Sequence, residues 1–229
     1  MMKLKDKARL YFGAVNAYDQ KQVSSMICPN YIQHNPYVPT GREAFVDFLP
    51  TLSEHGSQIH NFRMLEDGNH IIMHHKWTRA TPFGGDTMIA FHIVRFDSQG
   101  LIAEHWNVIA EEGSATSRGP VAIQGRTDLD VQASANITKK YATHLIGSWI
   151  DEGSQIEGLE YLSLQKIFAE NDFALAISEG SQNGVHSALY DLIRIEDGAV
   201  KEHWNVYQPI PVADLANDNG MFGFVEDRL

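Results

Sequence analysis

The pentapeptide Glu-His-Trp-Asn-Val occurs twice in this chain, at 104–108 and again 98 residues further on at 202–206. The flanks agree. Phe91-His92-Ile93-Val94-Arg95-Phe96 precedes the first copy and Tyr190-Asp191-Leu192-Ile193-Arg194-Ile195 precedes the second, and each leads into a polar turn holding Gly100 or Gly198. A repeated strand–turn–strand at this distance points to an internal duplication, and so to two related units. The length of 229 residues accommodates two domains of about 110 residues each.

The two halves differ between their first helix and their sheet. Ala8, Tyr11, Phe12, Val15 and Tyr18 recur at helical spacing. Residues 20–28 read as a second short helix, ended by Pro29-Asn30. Tyr31 to Gly41 holds two prolines and reads as an extended strand or loop. Arg42 to about Leu52 is again helical in period, with Pro50 expected to kink or end it. From residue 59 the period changes to two. Strands are expected at 59–65, 70–80, 86–96 and 101–110, separated by Gly-containing turns. Residues 111–130 carry Gly113, Ser114, Gly119, Pro120 and Gly125 and read as the linker. A helix over about 130–150, with Asp128 or Asp130 as its cap, and strands at 159–169, 173–179, 185–196 and 199–208 complete the second half. Only about eight residues there replace the 20–57 segment of the first half. The expected fold class is therefore α+β, with helices followed by an antiparallel meander. Residues 1–115 form a first domain with a complete pocket, 116–128 the linker, 129–212 an abbreviated second domain, and 213–229 a tail. That tail carries an apolar patch, Met221-Phe222-Gly223-Phe224, expected to pack across the first domain or a partner.

A net charge of −11 and a pI of about 5.4 leave no basic stripe for a nucleic acid to follow. No apolar run approaches the roughly 18 residues of a membrane span, and the start lacks the apolar core of a signal peptide. Cys28 is the only cysteine, so an intramolecular disulfide is excluded. These features fit a cytoplasmic protein.

Chemistry is sought first among the 11 histidines, because imidazole gives or takes a proton near neutral pH. His34, His74, His75, His92 and His105 fall in the first unit's sheet or cleft. Asp197-Gly198 signals a two-residue hairpin turn. A regular ladder from it pairs Ile195 with Val200 and Ile193 with Glu202, placing Asp191, Glu202 and Trp204 on one face and His203 and Asn205 on the other. The first hairpin has a longer turn. One register sets His92 beside Glu104 and Trp106, another beside His105 and Asn107, and either way His92 occupies the position of Asp191. A His34/His92/His105 metal triad is a rival reading, although adjacent His74 and His75 point to opposite faces and no metal-ligand spacing is present. Tyr31, Trp77, Phe83, Phe91 and Trp106 supply apolar walls.

The segment Tyr31-Ile32-Gln33-His34-Asn35-Pro36 and the stretch from Tyr190 to Asn205 resemble the signatures of SnoaL-like proteins, more narrowly the group described as SnoaL-like aldol-condensation-catalysing. That group has the nuclear-transport-factor-2-like, or cystatin-like, fold. The resemblance implies two curved antiparallel sheets wrapped on helices, an apolar pocket, cofactor-free proton transfer and a small hydrophobic carbonyl ligand. It implies that His34, Asn35 and His92 line the first pocket and that the residue after the motif tryptophan is the acid/base. With the reading of the strands, the candidate catalytic residues are His34, His92, His105, Asn107 and Asp191, and Tyr31, Asn35, Trp77, Phe91, Glu104 and Trp106 are candidate substrate contacts. The family's usual acid after the motif tryptophan is replaced by Asn107 and Asn205, which cannot exchange a proton at neutral pH. The expected function is a cofactor-independent cyclase, isomerase or dehydratase working from the first unit, with His92 or His34 as base. The second unit is expected to complete an intrachain pseudo-dimer, and a homodimer stays open. The alternatives are a binding module and a metal-assisted hydrolase.

Overall fold

Ala8, Tyr11, Phe12, Ala14 and Val15 form the buried stripe of helix α1, Leu4–Asn16. A short helix α2, Gln20–Met26, follows, with Asp19 accepting from the Gln22 N–H at 2.9 Å as its cap. The computed structural model describes residues 2–112 and 123–224. Gly113, Ser114, Gly119 and Pro120 of the expected linker, and the last five residues of the tail, lie outside the described residues.

The extended segment begins earlier than the sequence implied. β1, Ile27–Gln33, runs parallel to β5 at the edge of the first sheet. Pro29 is tolerated there because an edge strand has one side free of ladder bonds. Helix α3, Arg42–His55, continues through Pro50. Proline cannot donate to the Val46 carbonyl, and the Gln20 side-chain amide donates to it instead at 3.2 Å. Then β2 (Gln58–Asp67), β3 (His70–Thr78), β4 (Thr87–Phe96) and β5 (Ile102–Glu111) form the meander. The sheet order is β1-β5-β4-β3-β2.

The second unit holds one helix, α4, Ala135–Glu152, and four strands, β6 (Leu159–Glu170), β7 (Phe173–Gln182), β8 (Val185–Glu196) and β9 (Ala199–Pro209), paired in chain order. Its helix starts after Ser134 rather than at Asp128 or Asp130. The Asp130 N–H donates instead to the Asp172 carboxylate at 2.8 Å, tying the entry segment to the β6–β7 turn. Nothing between α4 and β6 corresponds to α2, β1 and α3.

Both motif hairpins carry one extra residue in the distal strand. Phe96 pairs with Ile102 but Arg95 with Glu104, so Ala103 bulges; Ile195 pairs with Val200 but Arg194 with Glu202, so Lys201 bulges. This overturns the face assignment drawn from a regular ladder. A single extra residue reverses every side chain beyond it. His92 pairs with Asn107, and Asp191 with Asn205. His105, His203 and both asparagines therefore share faces with His92 and Asp191, whereas Trp106 and Trp204 point the other way.

The layers run helix, sheet, sheet, helix. Tyr11, Phe12, Phe45, Leu49 and Trp77 fill the space between α1–α3 and the first sheet. Ile146, Tyr161, Ile193 and Tyr207 do so between α4 and the second. A third cluster joins the sheets face to face through Phe91, Ile93, Trp106, Val108, Phe173, Leu175, Tyr190, Leu192 and Trp204. The tail adds Met221 to it, and Phe224 stacks on Trp106 with centroids 4.7 Å apart. Buried Arg63 lies 3.9 Å above the Trp204 ring, donates to the Arg126 carbonyl at 2.8 Å and binds His74 Nδ1 at 3.1 Å. Its guanidinium is lowered to about 10, chiefly by desolvation. Lys5 of α1 pairs with Glu170 of β6 at 2.6 Å and Lys139 of α4 with Asp67 of β2 at 3.0 Å, tying each helix to the other unit's sheet. No described helix is long and apolar enough to cross a membrane.

Trp204→Ala removes a fully buried anchor of the inter-sheet core and is expected to cost about 3–5 kcal/mol in urea denaturation. Val131→Ala, at a 77% exposed position, is expected to stay within about 0.5 kcal/mol of wild type.

Candidate functional site

The space between α1–α3 and the first sheet narrows to an inner cavity. Tyr11, Phe12, Phe45, Trp77, His92, His105 and Asn107 are among its walls. Its free volume is about 30 Å³, enough for one or two waters. A wider vestibule of about 350 Å³ adjoins it, and Val38, Phe48, Phe83 and Ile109 line both. Gln208 and Pro209 of the second unit stand on the vestibule wall. The Gln208 side-chain oxygen accepts from the Ile109 N–H at 3.0 Å and from Asn35 Nδ2 at 3.4 Å.

A chain of buried polar side chains runs into this cavity. The Asn35 N–H donates to Gln33 Oε1 at 2.9 Å, which fixes the amide so that Nε2 faces inward. Gln33 Nε2 donates to the Tyr31 hydroxyl at 3.0 Å and lies 3.3 Å from His105 Nδ1. The Tyr31 hydroxyl is 2.9 Å from that same Nδ1. Burial holds the Tyr31 phenol well above its usual range, so it keeps its proton and donates it to His105. His105 then carries its proton on Nε2, 2.8 Å from His92 Nδ1. His92 Nδ1 must accept, which leaves the His92 proton on Nε2. The reversed set would turn the Gln33 and His105 N–H groups toward each other. Among the described residues His92 Nε2 has no hydrogen-bond partner, and neither has Trp77 Nε1. Both residues line the cavity, whose surface is almost wholly apolar, and both N–H groups are buried at its wall.

The histidines here are neutral. Desolvation lowers His75 and His105 to about 3 and takes His92 well below its ordinary value, with neighbouring imidazoles adding to the effect. The His75 ring lies 4.2 Å from that of His92, and both its nitrogens lack partners among the described residues.

The structure brings His92, His105, Asn107, Trp77 and Tyr31 together at or behind the cavity, with Asn35 in the vestibule. It does not bring His34, Phe91, Glu104 or Trp106 there. His34 stacks on Trp106 at 4.5 Å and 4° on the other face of β5, with Nδ1 2.9 Å from the Gly220 carbonyl. Proline-containing backbone after Gln33 turns the chain across the sheet edge, and residues 217–220 of the tail hold it there. Asn217 Nδ2 donates to the Asn35 and Val38 carbonyls at 2.7 and 2.8 Å. Glu104 pairs with Arg95 at 3.0 Å, and Phe91 belongs to the inter-sheet core. The His34/His92/His105 metal triad is therefore not assembled. Among the described residues no three of His, Cys, Asp and Glu converge as ligands. Asp191 lies in the second unit, bonded to Tyr161 and His203. Sequence reasoning left Gln33, which orients the chain of donors, out of the site, and named His75 only as one of five histidines in the sheet or cleft. Gln33 was visible only as part of the Gln-His-Asn-Pro string, where nothing marks which of its polar side chains turns inward.

Residues 8–105 match the family model of the SnoaL-like domain. The match covers most of the first unit and none of the second. Solved structures similar to about half of this chain include a nuclear-transport-factor-2-like protein of unknown function from Cytophaga hutchinsonii (14% identity, 48% of this chain and 92% of that one, TM-score 0.41). A candidate SnoaL-like polyketide cyclase from Shewanella denitrificans matches at 15% identity over 47% of this chain and 90% of its own, TM-score 0.39. A candidate ketosteroid isomerase from Kribbella flavida matches at 17% identity over 55% and 95%, TM-score 0.43. Among curated proteins none matches the chain by sequence.

Histidines held neutral by the fold make stability depend on pH. Their folded pKa lies below the unfolded value, so the unfolded chain binds more protons as pH drops. Stability is full above about pH 6.5 and is lost toward pH 3, at about 1.4 kcal/mol per pH unit for each histidine. His75→Leu removes one such group. Between pH 7 and pH 5 this variant is expected to lose about 2 kcal/mol less than wild type in urea denaturation.

Proposed function

We propose that the first unit takes up a small, mostly apolar compound bearing a carbonyl oxygen and holds that oxygen on the N–H groups of His92 and Trp77. The observation that carries this reading is the direction of the Gln33–Tyr31–His105–His92 chain, which leaves a proton on Nε2 of His92, a residue lining an apolar cavity. No carboxylate is among the described lining residues, so the complementary group is an acceptor. Donors of this kind bind more strongly as negative charge builds on the oxygen. This is the electrophilic half of a cyclase, isomerase or dehydratase step, and it calls for no cofactor. In this reading His92 acts as a donor rather than as the expected base, because its Nε2 carries the proton. A binding role without turnover is the second reading, favoured by Asn107 lining the cavity where an acid is usual in the family.

Infrared spectroscopy of a cyclic enone with a labelled carbonyl tests the assignment. Binding is expected to lower the carbonyl stretching frequency. His92→Leu is expected to abolish the shift and weaken binding about tenfold, the loss of about one hydrogen bond. A shift unchanged in His92→Leu refutes the reading, and release of unaltered enone selects binding over catalysis.

A further inference from the structure

The second unit carries a pocket of about 330 Å³ between α4 and the β8–β9 hairpin, walled by Leu145, Trp149, Ile193, Lys201 and His203 among others. His203 is 4% exposed, and its Nε2 lies 2.8 Å from Asp191 Oδ1. Asp191 is fully buried and takes the Tyr161 hydroxyl on both oxygens at 3.0 Å. This pair is the counterpart of His105 and His92, at the same positions of the duplicated hairpin and at the same 2.8 Å separation.

The chemistry is inverted. In the first unit the motif histidine donates to a neutral imidazole, and the chain ends in an N–H. In the second, its partner is a carboxylate, which only accepts. Nε2 of His203 therefore holds its proton against Asp191, and Nδ1 is the nitrogen left for a further partner, with a lone pair when the ring is neutral. A proton arriving at Nδ1 makes an imidazolium already seated against a buried carboxylate. The bulge re-aims Lys201 onto the pocket wall, where the first unit has Ala103. The Trp149 ring lies 5.5 Å from His203 and 5.2 Å from Tyr161. Asp191, Tyr161 and Lys201 are the titratable groups around the imidazole, and α4 contributes only Trp149 and Leu145 to the wall.

We propose that this pocket is a second ligand site, taking a small aromatic compound with a weakly acidic hydroxyl. The ring packs against Trp149, Leu145 and Ile193, and the hydroxyl faces His203 Nδ1. The ligand O–H bond breaks, its proton goes to Nδ1, and the oxyanion is balanced by the Lys201 ammonium. This assignment stands independently of the first unit's ligand.

The probe is 4-nitrophenol, whose phenolate absorbs visibly. Mixed with the full chain below the probe's own titration point, wild type is expected to raise the phenolate absorbance saturably. His203→Gln, which keeps a donor to Asp191, is expected to abolish the rise. Leu145→Trp, which fills the pocket from a half-buried position, is expected to weaken binding at least tenfold, with circular dichroism confirming the fold of each variant. No rise in wild type, a rise that survives both substitutions, or one lost instead in His92→Leu overturns the proposal. Should His203→Gln fail to fold, Leu145→Trp decides alone.

Discussion

In each hairpin one extra residue, Ala103 or Lys201, interrupts the ladder just after the turn and sets the facing of every side chain beyond it. Because strand residues alternate, the pentapeptide then serves two surfaces at once. Its tryptophan enters the inter-sheet core, while its histidine and asparagine turn toward the helices. Without the bulge, His105 and His203 would enter the apolar interface and both tryptophans would enter the cavities. Interface and sites are thus fixed by the same local irregularity.

The inter-sheet packing also shapes the first site from behind. Gln208 of the second unit reaches into the vestibule and holds the Ile109 N–H. The tail crosses to the 33–40 segment through Asn217 and Asn219, which donates to the Gln33 carbonyl at 2.9 Å. Gln33 heads the hydrogen-bonded chain, so the second unit helps hold that chain in place. Burying neutral imidazoles there lowers acid stability.

Duplication preserved the geometry of the motif histidine and let its partner diverge. With His92 opposite, the result is a neutral imidazole whose proton stays on Nε2. With Asp191 opposite, it is a carboxylate-held imidazole whose other nitrogen can accept. A one-residue difference at equivalent positions is enough, because in a dry site the direction of each hydrogen bond is dictated by the next. Loss of α2, β1 and α3 in the second unit leaves its pocket walled by a single helix.

Sequence alone determined the duplication, the α+β class, the order of helices and strands, and the gathering of histidines in the first unit. These follow from periodicity and turn chemistry, which are local. It also singled out His92, His105, Asn107 and Trp77. The tertiary structure decided the rest. His34 sits on the far face because the tail captures the chain after Gln33. Glu104 and Trp106 turn away from the cavity because of a bulge that leaves no signature in composition. Gln33 becomes the orienting residue only once the parallel pairing of β1 with β5 sets it beside His105. Which imidazole nitrogen holds a proton depends on partners drawn from distant parts of the chain, and spacing along one strand does not encode it.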